Sequence, residues 1–287
     1  MVVGMHTPAV IAHRGYAGVA PENTIAAAVD AAGHEGTAML EVDVQPAACG
    51  TPVVFHDERL ERTRDGRPVT DASGFVWETS LETLESLSVL GTDDSIPTLS
   101  ALLEAVPETV GINVELKNPG AADLRVGESL PADAREERRE VWHPFVERVL
   151  EDCEDFDGEL LFSSFCEGAL AALRDTADYA AAPLVWDDLE AGVEIARRYD
   201  CEAIHPPRNA IAGTALASEP YYGLPTSEPE IDIVEVAHEE DRAVNVWTVD
   251  SWLQFDDLAA AGIDGVAADY PGLEAGTGAR TDAGLAR

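Results

Sequence analysis

Short apolar runs, each followed by a stretch with helical character, constrain this chain more than any other feature. Taken in order, eight such runs end near residues 13, 44, 117, 165, 186, 205, 249 and 269. Runs of this length bounded by turn residues read as buried strands, and helices between them require parallel pairing through crossovers. The pattern predicts an α/β fold, a (β/α)8 TIM barrel whose site lies at the C-terminal ends of the strands. No Gly-x-Gly-x-x-Gly follows the first run, which argues against a doubly wound dinucleotide-binding sheet. Residues 52–56 are set aside as a hairpin partner of the second strand. Residues 57–96 break the rhythm and read as a small insertion after that strand, capping the site. At 287 residues the expectation is one domain over 1–273 and a mobile tail over 274–287.

Helices are predicted over 25–34, 81–90, 98–106, about 143–154, 167–176, 189–199, 228–240 and 252–261. Asn23 or Thr24 is the expected N-cap of the first. Residues 119–141 are charged and read as a loop merging into the helix at 143, and 206–227 as a long proline-containing loop.

Two runs carry chemistry. Met39-Leu40-Glu41-Val42-Asp43-Val44 places two carboxylates two residues apart in an otherwise apolar strand. Residues i and i+2 share a strand face, so Glu41 and Asp43 project side by side. A buried carboxylate pair is costly without a cation or hydrogen bonds, and a metal ion is the simplest explanation. A buried arginine is the alternative partner. His13-Arg14 ends the first strand and His56-Asp57 follows the second. Two histidines, an arginine and paired carboxylates suit metal-assisted phosphoryl chemistry. Taken alone, His13 could be a core histidine, His56-Asp57 a turn, and Trp247 or His205 a packing residue. Asp264 and Asp269 read as structural groups satisfying backbone donors near the last strand. Arg59, Arg62, Arg64 and Arg67 read as a solvated, paired face.

Composition narrows the partners. The formal net charge is −37, from 55 acidic and 18 basic residues. That field repels nucleic acid and anionic membranes, so neither is an expected partner. A hydrophobic content of 46% argues against disorder. The expectation is a folded protein with an acidic surface, suited to a very salty cytoplasm where charge is screened. Lys117 is the sole lysine, in Asn113-Val114-Glu115-Leu116-Lys117, which points to a position that needs an ammonium. Cys49, Cys153, Cys166 and Cys201 form no Cys-x-x-Cys pair, which fits a reducing compartment. No signal peptide or apolar run of membrane-spanning length is evident, so a cytoplasmic protein without stable membrane anchoring is expected.

These pieces form an ordered set: His13-Arg14-Gly15, Pro21-Glu22-Asn23-Thr24, Glu41-Val42-Asp43-Val44, Val53-Val54-Phe55-His56-Asp57, Arg62-Thr63, Glu115-Leu116-Lys117, Val246-Trp247-Thr248-Val249, Gly262-Ile263-Asp264-Gly265 and Asp269-Tyr270-Pro271. Over about residues 9–272 the set resembles the glycerophosphodiester phosphodiesterase family. The resemblance implies a barrel with an insertion after its second strand and a divalent cation, Mg2+ or Ca2+. It implies hydrolysis of small-molecule glycerophosphodiesters to glycerol phosphate and an alcohol. Carried over by motif, Glu41, Asp43 and Glu115 would be the metal ligands, His13 and His56 the acid–base pair, and Arg14 and Lys117 the phosphate-binding cations. Trp247 is a candidate substrate contact. The chain departs from the family pattern at Gln45-Pro46-Ala47-Ala48-Cys49-Gly50, where Thr and an Asp-Gly turn are common, and at Ala268, where Thr is common. Two other readings compete: a phosphodiesterase that cyclises lysolipids, and a barrel that binds a phosphorylated ligand without turnover.

Overall fold

The second strand sets the architecture. Every residue from Met39 to Pro46 is buried, because a parallel strand with neighbours on both edges is covered on both faces. The computed structural model describes residues 7–224, 229 and 231–276. The barrel strands are β1 (Ala9–His13), β2 (Thr37–Pro46), β3 (Gly111–Leu116), β4 (Leu160–Ser164), β5 (Ala180–Pro183), β6 (Ala203–Ile204), β7 (Ala243–Val249) and β8 (Gly265–Ala268). Each pairs in parallel with its sequence neighbour except across β5–β6, and β1 also pairs with β8. The β5–β6 seam is held by a Leu184–His205 bridge and by backbone hydrogen bonds from His205 N to Pro183 O (3.0 Å) and Val185 N to His205 O (2.9 Å). The sheet is a (β/α)8 barrel, as the spacing predicts.

The helices are α1 (Ile25–Ala32), α2 (Leu99–Ala105), α3 (Ala132–Cys153), α4 (Glu167–Thr176), α5 (Leu189–Arg198), α6 (Ile233–Glu239) and α7 (Trp252–Ala260). Leu40, Val42 and Val44 turn outward into the main core with Leu102, Val146 and Phe162. Ile11, Met39, Leu161 and Ala203 form a smaller apolar cluster of their own. No described helix is long and apolar enough to cross a membrane.

Three local expectations are corrected. α3 begins at Ala132, about eleven residues ahead of the expected start, and carries Pro144 inside it. The charged stretch is helical because its arginines have partners. Arg139 pairs with Glu136 one turn away and with Asp175, and Arg138 with Asp123. α4 packs closely there: a Cβ on Gly168 would lie 2.7 Å from Arg138 Cβ. The helix expected over 81–90 is one turn, Leu81–Leu84, and Ser86 Oγ donates to the Thr83 carbonyl at 2.7 Å, a local bond that competes with continuing the helix. α6 begins at Ile233, two residues into the described stretch 231–276, with Asp232 accepting from Val234 N and Glu235 N; residues 228 and 230 of the expected helix lie outside the described residues. The tail expected from 274 opens with a 3-10 turn, Leu273–Gly276, and residues 277–287 lie outside the described residues.

After β2 the chain turns back as Pro52–Val54, antiparallel to β2, with Val44 opposite Val54. This hairpin returns Phe55, His56 and Asp57 to the barrel mouth. Residues beyond it hold a Thr63–Arg64/Arg67–Pro68 ribbon and a separate apolar cluster that includes Phe55, Leu60, Val69, Val76, Leu84 and Ile96.

Candidate active site

Alternation along the strands decides which side chains enter the barrel. On β2 the outward positions are Leu40, Val42 and Val44, so Glu41, Asp43 and Gln45 face inward. Register then aligns the neighbours: His13 lies beside Glu41, and Asp43 beside Glu115. Ligand oxygens of Glu41, Asp43 and Glu115 lie within 4.8 Å of one another, and all three residues are buried.

The loop after β1 feeds cations into this cluster. Arg14 adopts φ +53°, in the left-handed region that a Cβ disfavours. Its N–H donates to Glu41 Oε2 at 3.0 Å, while its guanidinium lies 3.2 Å from Asp43 and 3.3 Å from Glu22. Gly15 follows at φ +75°, where an added Cβ would lie 2.9 Å from the Ala27 backbone. That explains the His-Arg-Gly string: the third residue must be small and left-handed. Lys117 Nζ lies 2.7 Å from Glu115 Oε1 and 3.3 Å from Asp43 Oδ1. The alternative of a buried arginine beside the carboxylate pair is therefore realised for Asp43, but it leaves Glu41 Oε1 buried with no hydrogen-bond partner among the described residues.

The carboxylates respond in opposite directions. Burial drives Glu41 well above the usual carboxylate range, and Asp43 and Glu115 push it the same way. Burial likewise pushes Glu115 up to about 7, against the opposing pull of Lys117. Burial also acts on Asp43, but Lys117, His56, Arg14 and the Asn23 amide outweigh it and hold Asp43 well below its ordinary value. Clustered carboxylates with two buried oxygens, Glu41 Oε1 and Asp43 Oδ1, that accept no hydrogen bond among the described residues fit a hard divalent cation held by oxygen ligands.

Two histidines flank the cluster. His13 Nδ1 is 2.7 Å from Asp269 Oδ1, and its Nε2 is 4.0 Å from Glu41 Oε2. Burial and Arg14 lower its pKa, and Asp269 opposes them. His56 Nδ1 is 3.2 Å from Asp57 Oδ1. Burial, then Arg14 and Lys117, push His56 down to about 3. Burial thus shifts both imidazoles toward their neutral form.

All eight residues singled out in the sequence line one cavity or its immediate wall. The cavity is about 330 Å3 and is bordered by His13, Arg14, Glu41, His56, Glu115, Lys117 and Trp247. Asp43 sits beneath Arg14 and Lys117. Trp247 also has a packing role: its Nε1 donates to His205 O at 2.9 Å, and its ring stacks on Trp186 at 5.8 Å. His205 is buried, contacts Asn245 at 3.0 Å and borders the cavity.

A profile of the Glycerophosphoryl diester phosphodiesterase family matches residues 13–273. This chain belongs to that family. A glycerophosphodiester phosphodiesterase of Bacillus altitudinis is 28% identical over 278 residues, covering 91% of this chain and 94% of that protein. YhdW of Bacillus subtilis (strain 168) is 41% identical over 114 residues, a segment covering 38% of this chain and 44% of that protein. An Oleispira antarctica phosphodiesterase, solved in complex with the product sn-glycerol-3-phosphate, superposes with a TM-score of 0.69 at 27% identity, covering 92% of this chain and 94% of that one. As a member of this family the chain is a phosphoric diester hydrolase, a glycerophosphodiester phosphodiesterase.

Sequence reasoning missed several residues of this phosphodiesterase site. Asp269, read as a backbone acceptor, pairs with His13 instead, whereas Asp264 does accept from a backbone donor, Val244 N at 2.8 Å. Asn23, read as a possible cap, adopts φ +57° and donates Nδ2–H to Asp43 Oδ2 at 2.8 Å. Thr24 is the cap, accepting from Ala27 N. Glu22 is buried between Arg14 and Arg64. Arg62 and Arg64 border the cavity, so the expected solvated arginine face is partly site wall. Pro21-Glu22-Asn23-Thr24, Arg62-Thr63 and Asp269-Tyr270-Pro271 stand in the ordered motif set, but which partner each residue meets is not written there.

Proposed function

We propose that this enzyme hydrolyses glycerophosphodiesters to glycerol phosphate and an alcohol with His13 and His56 as the acid–base pair. Glu41, Asp43 and Glu115 would hold a divalent cation, Mg2+ or Ca2+. The observation that carries this reading is the convergence of three buried carboxylates at a cavity that two histidines also line. When bound, the cation neutralises phosphate charge and polarises phosphorus. Arg14 and Lys117, both held protonated by the surrounding carboxylates, bind phosphate oxygens and stabilise the charge that grows on them. One histidine takes the proton of the attacker as its oxygen bonds to phosphorus: water directly, or the substrate's own glycerol hydroxyl, giving a cyclic phosphate that water then opens. The other, protonated at the start of the step, gives its proton to the alcohol oxygen as the ester P–O bond breaks. Asp269 fixes the tautomer of His13 by accepting from Nδ1, which leaves Nε2 facing the cavity side of Glu41. Trp247 supplies an apolar surface for the substrate. The acidic surface suits work in a high-salt cytoplasm.

The test is release of glycerol phosphate from a panel of glycerophosphodiesters in multimolar KCl, with Mg2+, Ca2+ or chelator. Activity should need a divalent cation and fall by about 100-fold or more in His13→Ala and in His56→Ala. Folded protein with full activity in chelator, or either variant at wild-type rate, would overturn the corresponding role.

A further inference from the structure

Gln45 has no assigned part in the chemistry, yet it is fully buried at the barrel mouth. It stands on β2 two residues after Asp43 and four after Glu41, on the same inward face. Its Nε2 donates to Phe55 O at 2.7 Å and to Asp57 O at 2.9 Å. Those two carbonyls bracket His56. One amide group therefore grips the backbone on both sides of a single histidine. The strand contributes a third tie, as Phe55 N donates to Asp43 O at 2.9 Å. Past Asp57 the chain enters the insertion, and its side chains around His56 are ionic: Asp57, with Arg62 3.8 Å away, and Lys117 and Arg14 across the cavity.

The donor assignment is forced by chemistry. Both partners are carbonyl oxygens, which only accept, so the NH2 end of Gln45 must face them. Its Oε1 is left buried with no hydrogen-bond partner among the described residues. Burying an unsatisfied amide oxygen is unfavourable, so a leucine or methionine would suit packing alone better. The two bonds made by its NH2 end offset that orphan oxygen, and the two carbonyls beside His56 are what the donor serves.

We propose that Gln45 is a positioning residue that sets His56 in register with the Glu41–Asp43 carboxylates of the same strand. This rests on the reading of His56 as an acid–base group. Rigidity along β2 transmits the register: the carboxylates and Gln45 move as one unit, and Gln45 ties the returning hairpin to that unit. Without the clamp the backbone of 55–57 keeps, among the described residues, the Phe55 N bond to Asp43 O alone, and displacement by a fraction of an ångström misaligns a proton transfer.

The test uses Gln45→Met, which keeps length and apolar volume but removes the donor, measured alone and in the His56→Ala background. The single variant should lose about 10- to 100-fold in kcat. KM and the Kd for Mg2+ or Ca2+, read by calorimetry, should change less than about threefold, since Glu41, Asp43 and Glu115 are untouched. In the His56→Ala background the same substitution should have no further effect on residual activity, because Gln45 acts only through His56. Wild-type kcat in Gln45→Met overturns the proposal, as does an equal loss in both backgrounds or a loss confined to cation affinity. If residual activity of the double variant is too low to compare, the kcat loss with unchanged cation Kd decides in favour and its absence against. Full activity of His56→Ala would instead overturn the acid–base reading, whatever Gln45→Met does.

Discussion

Glu115 offers a stability measurement that reports on the cation site independently of turnover. Its carboxyl is pushed from 4.5 up to about 7, chiefly by burial. A carboxyl with a raised folded pKa binds its proton more tightly when folded. Its contribution is therefore greatest below the unfolded pKa and declines as pH rises from about 4.5 to about 7. A rise from 4.5 to about 7 corresponds to about 3 kcal/mol lost by pH 8 in the cation-free protein. Glu115→Gln removes that titration. At pH 8 in chelator the variant should be more stable than wild type by about 1–3 kcal/mol, the lower figure allowing for the weakened contact to Lys117. At pH 5 the two should be nearly equal. Mg2+ or Ca2+ at a thousand times its Kd should reverse the order, since it adds about 4.1 kcal/mol to the protein that binds it. Burial rather than long-range charge is the leading cause, so the difference should persist in molar KCl. The assay is urea unfolding followed by fluorescence at pH 5 and 8, in fixed KCl, with chelator or with cation. A wild type at least as stable as Glu115→Gln in chelator at pH 8 would refute the reasoning.

Asp269→Asn should cut kcat by about 10- to 1,000-fold with little change in cation affinity, because an amide can offer His13 Nδ1 the wrong partner; unchanged kcat would remove Asp269 from the site. Trp247→Ala should raise KM and also lower stability by about 3 kcal/mol or more, since the ring is buried against Trp186 and Phe165 as well as facing the cavity; thermal unfolding and steady-state kinetics separate the two. With a net charge of −37, the unfolding midpoint should climb steeply between 0.1 and 3 M KCl as the screening length falls from about 10 Å to about 3 Å or less; a flat response would refute the high-salt reading.

Much of this was legible in the chain. The eight-strand rhythm and the inward pairing of Glu41 with Asp43 follow from local rules, and Lys117 stands out as the sole lysine. Apolar runs must be buried, strands alternate with a period of two, and helices between parallel strands must cross over. Helix ends were the weak point. α3 extends through a charged stretch because Asp123 and Asp175, distant in sequence, pair with its arginines. No window of local sequence contains that information.

The sequence by itself determined the fold class and most of the groups that face the cavity, because periodicity is a property of neighbours along the chain. Only the tertiary structure decided how those groups are held. His13 and Asp269 are 256 residues apart and meet because β1 and β8 close the barrel. Asn23 reaches Asp43 because the loop after β1 folds back over β2, and Gln45 reaches the carbonyls around His56 because a hairpin returns the chain. Each of these contacts satisfies a polar group that the barrel has removed from water. The need for a partner is written in the residue type, and closure of the sheet selects which partner arrives.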